Sequence, residues 1–299
     1  MILAVLCALF AKLSPEFLGL DNLASMAQNF TEIGLIALPM TFVILTAGID
    51  LSVGAIAGLS CVALGSAFGH FHGSFWAGAV AAVAMGALAG SLNGAAISWL
   101  GMPPLVVTLA TMAIYRGLAV GFSGGEPVTG FPAGSEWLGQ GMAGPFPHQA
   151  ILLILLALMA AWALYLTPYG RYLYAIGGSE MTCRLGGVSV DAIRFSTYLL
   201  SGAAAGLAAV VYVSRVGTAR SDTGAGWELD VISAVVLGGT DVAGGDGGLA
   251  GTILGLLIIS VLRNGLNLVN FPQEGQPVIL GCVLIGAIAL DRLVRKRRS

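Results

Sequence analysis

Long apolar runs with few charges impose the main constraint on the fold of this chain. A membrane-spanning helix needs about 20 mostly apolar residues, because lipid offers no partner for free backbone N–H and C=O groups. Several of the candidate runs are shorter than a full crossing. Together they predict an all-α, polytopic transmembrane bundle of about ten segments, forming one transmembrane domain over residues 1–299. The segments are Met1–Leu13, Thr31–Ala47, Ser52–Phe68, Phe75–Leu100, Pro104–Phe122, Ala150–Thr167, Phe195–Val213, Leu229–Gly239, Gly248–Leu266 and Val278–Leu290.

The composition excludes an ordinary water-soluble domain. Of the 299 residues, 57% are hydrophobic and 9% are charged, whereas a soluble domain carries about a quarter charged residues. The 44 glycines suit closely packed membrane helices, because small residues let backbones approach one another. The four cysteines lack the spacing of metal ligands, so we predict no disulfide framework, metal site or cofactor. The only basic run lies at residues 295–298 and gives no reason to expect a nucleic acid partner.

The distribution of Lys and Arg predicts the orientation in the membrane. Short loops that are rich in these residues stay in the cytoplasm. The C-terminal RLVRKRRS and the loop 168–194 are both basic, so both are placed inside, and counting back places the N-terminus inside as well. The Gly- and Pro-rich loop 123–149 then lies outside. Arg215 and Arg220 also fall outside on this count, in mild conflict with the rule.

A polar segment bounded by glycine pairs interrupts the apolar runs in the middle of the chain. Gly177–Gly178 and Gly186–Gly187 flank Ser179–Leu185, which is too polar to enter lipid. The pattern predicts a cytoplasmic loop that holds one short helix, and we expect this helix to dock into a partner protein. Taken on pattern alone, an ordinary connecting loop is the commoner explanation of such a segment.

Asp50 is a carboxylate close to membrane depth, where a charge is costly and commonly marks a functional site. It follows Gly48 in a turn ahead of the next helix. Capping of that helix by Asp50 or Ser52 is therefore favoured over contact with a transported solute.

The sequence contains no catalytic signature. Its two lysines, Lys12 and Lys296, lie in no P-loop pattern, so the chain cannot hydrolyse ATP through such a site. Metalloprotease and nucleophile-elbow motifs are missing too, which disfavours an intramembrane enzyme. Polar residues are instead scattered along the predicted helices. Such residues line a pathway or join helices by hydrogen bonds, and joining helices is the commoner role. They are Asn93, Thr108, Thr111, Arg116, Asn264 and Asn267.

Seven stretches carry a resemblance that runs almost from end to end. They are GIDLSVGAIAGL from Gly48, LNG from Leu92, PPLVVTLATMAIYRGLA from Pro103, GRYLYAIGG from Gly170, SGAAAGLAA from Ser201, GWELDVISAVVLGGTDVAGGDGGLAGT from Gly226 and NGLNLV from Asn264. The chain resembles the membrane permease subunit of ribose-type bacterial ABC importers, which carry monosaccharides and the autoinducer-2 signal. The sequence after Gly217, TARSDTGAGWELD, loosely resembles the autoinducer-2 and rhamnose branches of this family.

This resemblance implies a location and a set of partners. The chain would be a multi-pass, non-catalytic permease surrounded by lipid in the bacterial inner membrane. A cytoplasmic ABC ATPase subunit would drive import, a periplasmic solute-binding protein would deliver the solute, and a second permease copy or a paralogue would complete the channel. Sugar uptake of this kind is binding-protein-dependent transport.

In the family that the chain resembles, the loop after GR-x-x-x-A-x-G-G bears the coupling helix that seats in the ATPase subunit. The positions that match here are Gly170, Arg171, Ser179, Glu180, Met181, Thr182, Cys183, Arg184, Leu185, Gly186 and Gly187. The chain departs from the usual Asn at Ser179, the usual Ala-Ala at Thr182-Cys183 and the usual Ala at Ser233. These departures leave the identities of the partner and of the solute open.

Four polar residues at membrane depth form the predicted substrate pathway, namely Asp50, Asn93, Thr108 and Asn264. The alternative to an ATP-driven importer is a secondary transporter driven by an ion gradient. Such a protein would need intramembrane carboxylates or broken helices that form ion sites. Asp50 and Asp241 are the only candidates, and both lie near segment ends.

Overall fold

α-Helices make up nearly all the regular structure of the described residues. The structure, a computed structural model, describes residues 2–70, 73–272, 275–276, 278–283 and 286. A 3-10 turn at Ser135–Trp137 and a short hairpin of two-residue strands, β1 (Met142–Ala143) with β2 (Phe146–Pro147), lie between residues 123 and 148. The helices of the described part are α1 (Ile2–Leu13), α2 (Leu20–Leu45), α3 (Val53–His70), α4 (Phe75–Ser98), α5 (Pro104–Ser123), α6 (His148–Leu166), α7 (Pro168–Gly178), α8 (Glu180–Leu185), α9 (Val190–Val216), α10 (Trp227–Leu237) and α11 (Leu249–Leu268).

Seven helices within the described residues are long and apolar enough to cross a membrane: α2, α3, α4, α5, α6, α9 and α11. Each corresponds to one predicted segment. Helices α1 and α10 correspond to two more, but with 12 and 11 residues they extend only about 16–18 Å, against a hydrocarbon core of about 30 Å. The tenth segment, Val278–Leu290, lies partly outside the described residues, and the basic C-terminus lies wholly outside them. The all-α, multi-pass architecture is confirmed, while the ten crossings and the sides of the termini stay predictions.

Helix α2 is longer than the sequence predicted. It begins at Leu20 rather than Thr31, because residues 20–30 mix polar and apolar side chains and do not read as a membrane run. From Thr31 to Leu45 every residue is buried. The apolar half of α2 is therefore the central helix of the bundle, in contact with α6, α9, α10 and α11.

The most extensive helix contact joins α4 to α9, which lie far apart in the sequence. Glycines four residues apart face one another along the contact, with Gly86 and Gly90 on α4 and Gly202 and Gly206 on α9. A Cβ atom on Gly206 would lie 2.6 Å from the carbonyl oxygen of Ala82, and one on any of the other three would overlap backbone atoms of the opposite helix even more closely. The two backbones therefore touch along a small-residue face, the usual way to pack helices in lipid.

The turns between helices gather at two ends of the bundle. At the α8 end, Gly245 N donates to Leu45 O at 3.0 Å and the Tyr174 hydroxyl donates to Gly247 O at 2.9 Å. At the opposite end, which we call the hairpin end, Val128 N donates to Ala219 O at 3.0 Å. The loops 123–149 and 168–194 lie at different ends, in agreement with the predicted alternation.

Candidate functional site

The polar segment folds as the short helices α7 and α8. Ser179 has an extended backbone and its Oγ accepts the N–H of Thr182 at 3.3 Å, so it caps the N-terminus of α8. The helix ends where Gly186 N donates to Thr182 O at 3.0 Å and Gly187 takes a φ of 78°, a left-handed conformation that suits glycine. A short helix is thus present where the glycine pairs predicted one.

Ion pairs fix α8 to the start of α9. Arg184 pairs with Glu180 at 2.9 Å, and its Nη1 donates to Asp191 Oδ2 at 2.8 Å. Arg194 pairs with the other oxygen of Glu180 at 2.6 Å. The hydrogen bond from Arg194 lowers the pKa of Glu180 below its usual value, so this carboxylate stays charged at neutral pH. Helix α8 is therefore held in a defined orientation although it has only six residues.

The two faces of α8 differ sharply in exposure. Cys183 is buried against Ile176 and Val190, whereas Met181 and Leu185 are 69% and 83% exposed. Two large apolar side chains thus project from a polar helix that ion pairs hold against the start of α9. Such a projection is suited to inserting into a groove on another protein.

The remaining predicted coupling residues occupy different positions. Arg171 is exposed on α7, and Thr182 is exposed on α8. Gly170 is buried, and a Cβ there would overlap the carbonyl of Leu164. Gly170 therefore serves the tight connection from α6 to α7 rather than the exposed surface.

Three of the four predicted pathway residues meet near the α8 end. Asp50 is fully buried; its Oδ1 accepts Ser52 N at 3.0 Å and Ser52 Oγ at 2.6 Å, and its Oδ2 accepts Ser201 Oγ at 2.9 Å. Asn93 Nδ2 donates to Ser52 Oγ at 2.8 Å. We call this set of side chains, Asp50, Ser52, Asn93 and Ser201, the Asp50 cluster. It joins the turn before α3 to α4 and α9.

The hydrogen bonds of the Asp50 cluster join neighbouring helices and turns to one another. Asp50 forms a turn with Ser52 immediately before α3 begins, close to the capping position that the sequence favoured. The Oδ1 of Asn93 accepts the Tyr115 hydroxyl at 3.1 Å, so both polar atoms of this buried amide are satisfied. Thr108 Oγ1 donates to Ile49 O at 3.2 Å and Pro104 O at 3.0 Å. The geometry favours a structural role for this group.

Asn264 lies apart from the other three, at the hairpin end. It lines a cavity of about 460 Å³ between α2, α9, α10 and α11. Four charged side chains also line this cavity, in two pairs: Arg215 with Glu32 at 2.9 Å, and Arg263 with Asp230 at 2.5 Å. The sequence analysis missed these pairs because their members lie 183 and 33 residues apart. Arg215, which conflicts with the charge rule, is thus neutralised by a carboxylate of α2.

Comparison with known proteins identifies the family. The ribose import permease protein RbsC of Escherichia coli (strain K12) is 38% identical over 293 residues, covering 97% of this chain and 91% of its own. The D-allose transport system permease protein AlsC of the same strain is 34% identical over 296 residues, covering 99% and 91%. The autoinducer 2 import system permease protein LsrC of Salmonella typhi is 32% identical over 296 residues, covering 98% and 85%.

No solved structure matches this chain. Residues 22–288 match the family described as "Branched-chain amino acid transport system / permease component". This match covers most of the chain. The three relatives are named as permease proteins of import or transport systems, and the chain aligns with 85–91% of their length. The chain therefore belongs to this family of membrane permeases.

Proposed function

We propose that the chain is the membrane permease subunit of an ATP-driven bacterial importer for a sugar or sugar-like solute. The observation that carries this proposal is the exposure of Met181 and Leu185 on α8, a short helix that ion pairs hold in place. The relatives, named for ribose, allose and autoinducer 2, support a small sugar-like solute. The α8 end then faces the cytoplasm and the hairpin end faces the periplasm of the inner membrane.

In this proposal α8 is the coupling helix that seats in a cytoplasmic ABC ATPase subunit. Burial of one leucine-sized side chain contributes about 1.5–3 kcal/mol, so two exposed side chains provide a substantial part of a docking contact. Two residues of the predicted coupling set are buried and do not contact the partner: Cys183 packs beneath α8, and Gly170 serves the connection from α6 to α7.

Movement of α8 reaches the membrane core through α9. The ion pairs of Arg184 with Asp191 and of Glu180 with Arg194 tie α8 to the first turns of α9. Helix α9 in turn interlocks with α4 through their glycine faces. A displacement of α8 by a closing ATPase therefore moves α9 and α4 together, which changes the relative stability of outward and inward states.

Further partners complete the proposed importer. A second permease copy or a paralogue supplies the other half of the channel, and a periplasmic solute-binding protein delivers the solute at the hairpin end. The permease makes and breaks no bonds, since the ATPase subunit supplies ATP hydrolysis.

Uptake in proteoliposomes tests this function against the ion-gradient alternative. The full chain is reconstituted with a candidate ATPase subunit and binding protein from the same genome, and entry of labelled D-ribose and D-allose is followed. We expect uptake to require ATP on the α8 side and to persist when ionophores collapse all ion gradients. Uptake that needs a gradient and ignores ATP would contradict the proposal.

The role of α8 is tested in the same preparation with a matched pair of variants. Leu185→Asp places a charge where we expect an apolar contact, so recovery of the ATPase with the permease should fall at least about ten-fold. Leu20→Asp is the control, because Leu20 is another exposed leucine but lies at the start of α2, at the end of the molecule opposite α8. Equal ATPase recovery with both variants would rule out α8 as the coupling helix.

A further inference from the structure

The cavity at the hairpin end has the charge balance of a site for a neutral ligand. Each of its two guanidinium groups is paired with a carboxylate, Arg215 with Glu32 and Arg263 with Asp230. The four formal charges cancel, so no net field favours an anion or a cation. A phosphorylated or carboxylated ligand would also have to displace a carboxylate from its arginine.

Two polar atoms of the cavity side chains have no hydrogen-bond partner in the described part of the chain. They are Oε2 of Glu32, an acceptor, and Nδ2 of Asn264, a donor. Glu32 is only 1% exposed, and buried polar atoms in native proteins almost always have a partner. A hydroxyl group both donates and accepts, so a ligand with several hydroxyl groups can satisfy both atoms at once.

Aromatic rings form part of the same wall. Trp227 and Tyr212 line the cavity and pack edge to face, with ring centroids 5.7 Å apart. A flat aromatic face provides apolar contact for the C–H groups of a sugar ring, while its hydroxyl groups point to polar neighbours. The volume of about 460 Å³ lies in the ordinary range of small-molecule sites, about 300–1,000 Å³.

We propose that this cavity is a binding site for a neutral monosaccharide at the hairpin end of the permease. Asn264 donates a hydrogen bond to one hydroxyl group of the sugar, Glu32 accepts one from another, and Trp227 contacts the ring. The inference rests on the proposed function, which supplies sugar as the solute class. It adds a solute contact made by the permease itself, close to where a binding protein would deliver its load.

Tryptophan fluorescence of the purified full chain in lipid nanodiscs tests this site. We expect D-ribose or D-allose to change the emission in a saturable way, and Trp227→Phe to remove most of that change. Asn264→Leu should raise the Kd about 3- to 10-fold, the effect of one lost hydrogen bond. Ser60→Ala is the matched control, because Ser60 Oγ is also buried without a partner in the described residues but lies on α3, away from the cavity. If Asn264→Leu fails to fold, Asn264→Ala replaces it.

Three results would overturn the proposal. The first is that the unaltered protein shows no saturable response up to about 100 mM sugar, which is two decades above a weak, millimolar Kd. The second is that the Kd is the same after substitution of Asn264. The third is that D-ribose 5-phosphate binds as tightly as the neutral sugar. Each of these can occur while uptake stays ATP-dependent, in which case the proposed function stands and only the cavity site fails. Uptake independent of ATP would instead refute the proposed function, whatever the titration shows.

Discussion

The two asparagines predicted for the pathway lie in opposite environments. Asn93 is fully buried and both of its polar atoms are bonded, to Ser52 and Tyr115. Asn264 lines a cavity, and its Nδ2 has no partner within the described residues. The sequence could not separate them, because each precedes a glycine in an apolar helix. The difference arises from residues that the fold brings near each amide.

We expect Asn93→Ala to act through stability. The substitution leaves Ser52 and Tyr115 without one partner each, so the free energy of unfolding should fall by roughly 0.5–2 kcal/mol. Thermal unfolding in detergent measures this loss, and uptake per folded molecule should be unchanged.

Ser91→Ala is the control for Asn93→Ala. Ser91 lies on the same helix, but its hydroxyl bonds only to the carbonyl of Ala87 one turn earlier, so its removal should change the melting temperature much less. If the Asn93→Ala variant transports slowly but keeps the melting temperature of the unaltered protein, Asn93 lines the substrate pathway.

At the level of elements, sequence periodicity located the long helices but not their partners. Helices α3, α4 and α5 begin within one residue of the predicted segments, since their apolar runs are bounded by turn residues. The start of α2 and all of α7 were missed, because amphipathic helices at the ends of a bundle lack an unbroken apolar run. The pairing of α4 with α9 follows from two glycine faces, and single-sequence reasoning offers no way to match one such face to another.

Gly202→Ala should disrupt the contact between α4 and α9. The added Cβ would overlap the Gly86 carbonyl, and backbone atoms cannot yield as a flexible side chain can. Overpacking of this kind costs about 1–3 kcal/mol, so we expect less folded protein and a lower melting temperature.

The matched control for Gly202→Ala is Gly117→Ala on α5, where nothing lies within 4 Å of the added atom. This change should be neutral or slightly stabilising, because alanine favours the helix by up to about 1 kcal/mol. Similar losses in the two variants would mean that the glycine face of α9 does not fix the packing.

At the level of the whole molecule, the sequence predicted the relative placement of two loops, while their sides of the membrane stay a prediction. The basic loop 168–194 and the acidic loop 123–149 lie at opposite ends, as the charge rule and the count of segments require. Arg215 conflicts with the predicted orientation because the rule counts arginines without regard to their partners, and the Glu32 that neutralises it is 183 residues away. The cavity that these two residues line could not be predicted from the sequence for the same reason.

Cysteine labelling tests the orientation of the two ends. The native Cys183 is buried beneath α8 and is a poor reporter, so Leu185→Cys marks the α8 end and Met142→Cys the hairpin end. In a background lacking Cys7 and Cys282, a membrane-impermeant thiol reagent should reach Leu185→Cys only from the cytoplasmic side. It should reach Met142→Cys only from the periplasmic side. Reaction of both from one side would refute the predicted topology.

The glycine contact between α4 and α9 has a consequence for the time course of synthesis. Roughly 120 residues separate the end of α4 from the end of α9, so at bacterial elongation rates of about 5–20 residues per second α4 waits about 6–24 s for its partner. During that interval α4 has α3 and α5 beside it, while its glycine face lacks the helix that covers it in the folded protein. The ribosome has then completed most of the chain before the centre of the permease can close. Substitutions on this face therefore act on the nascent protein, when membrane quality control can still remove it, as well as on the finished one.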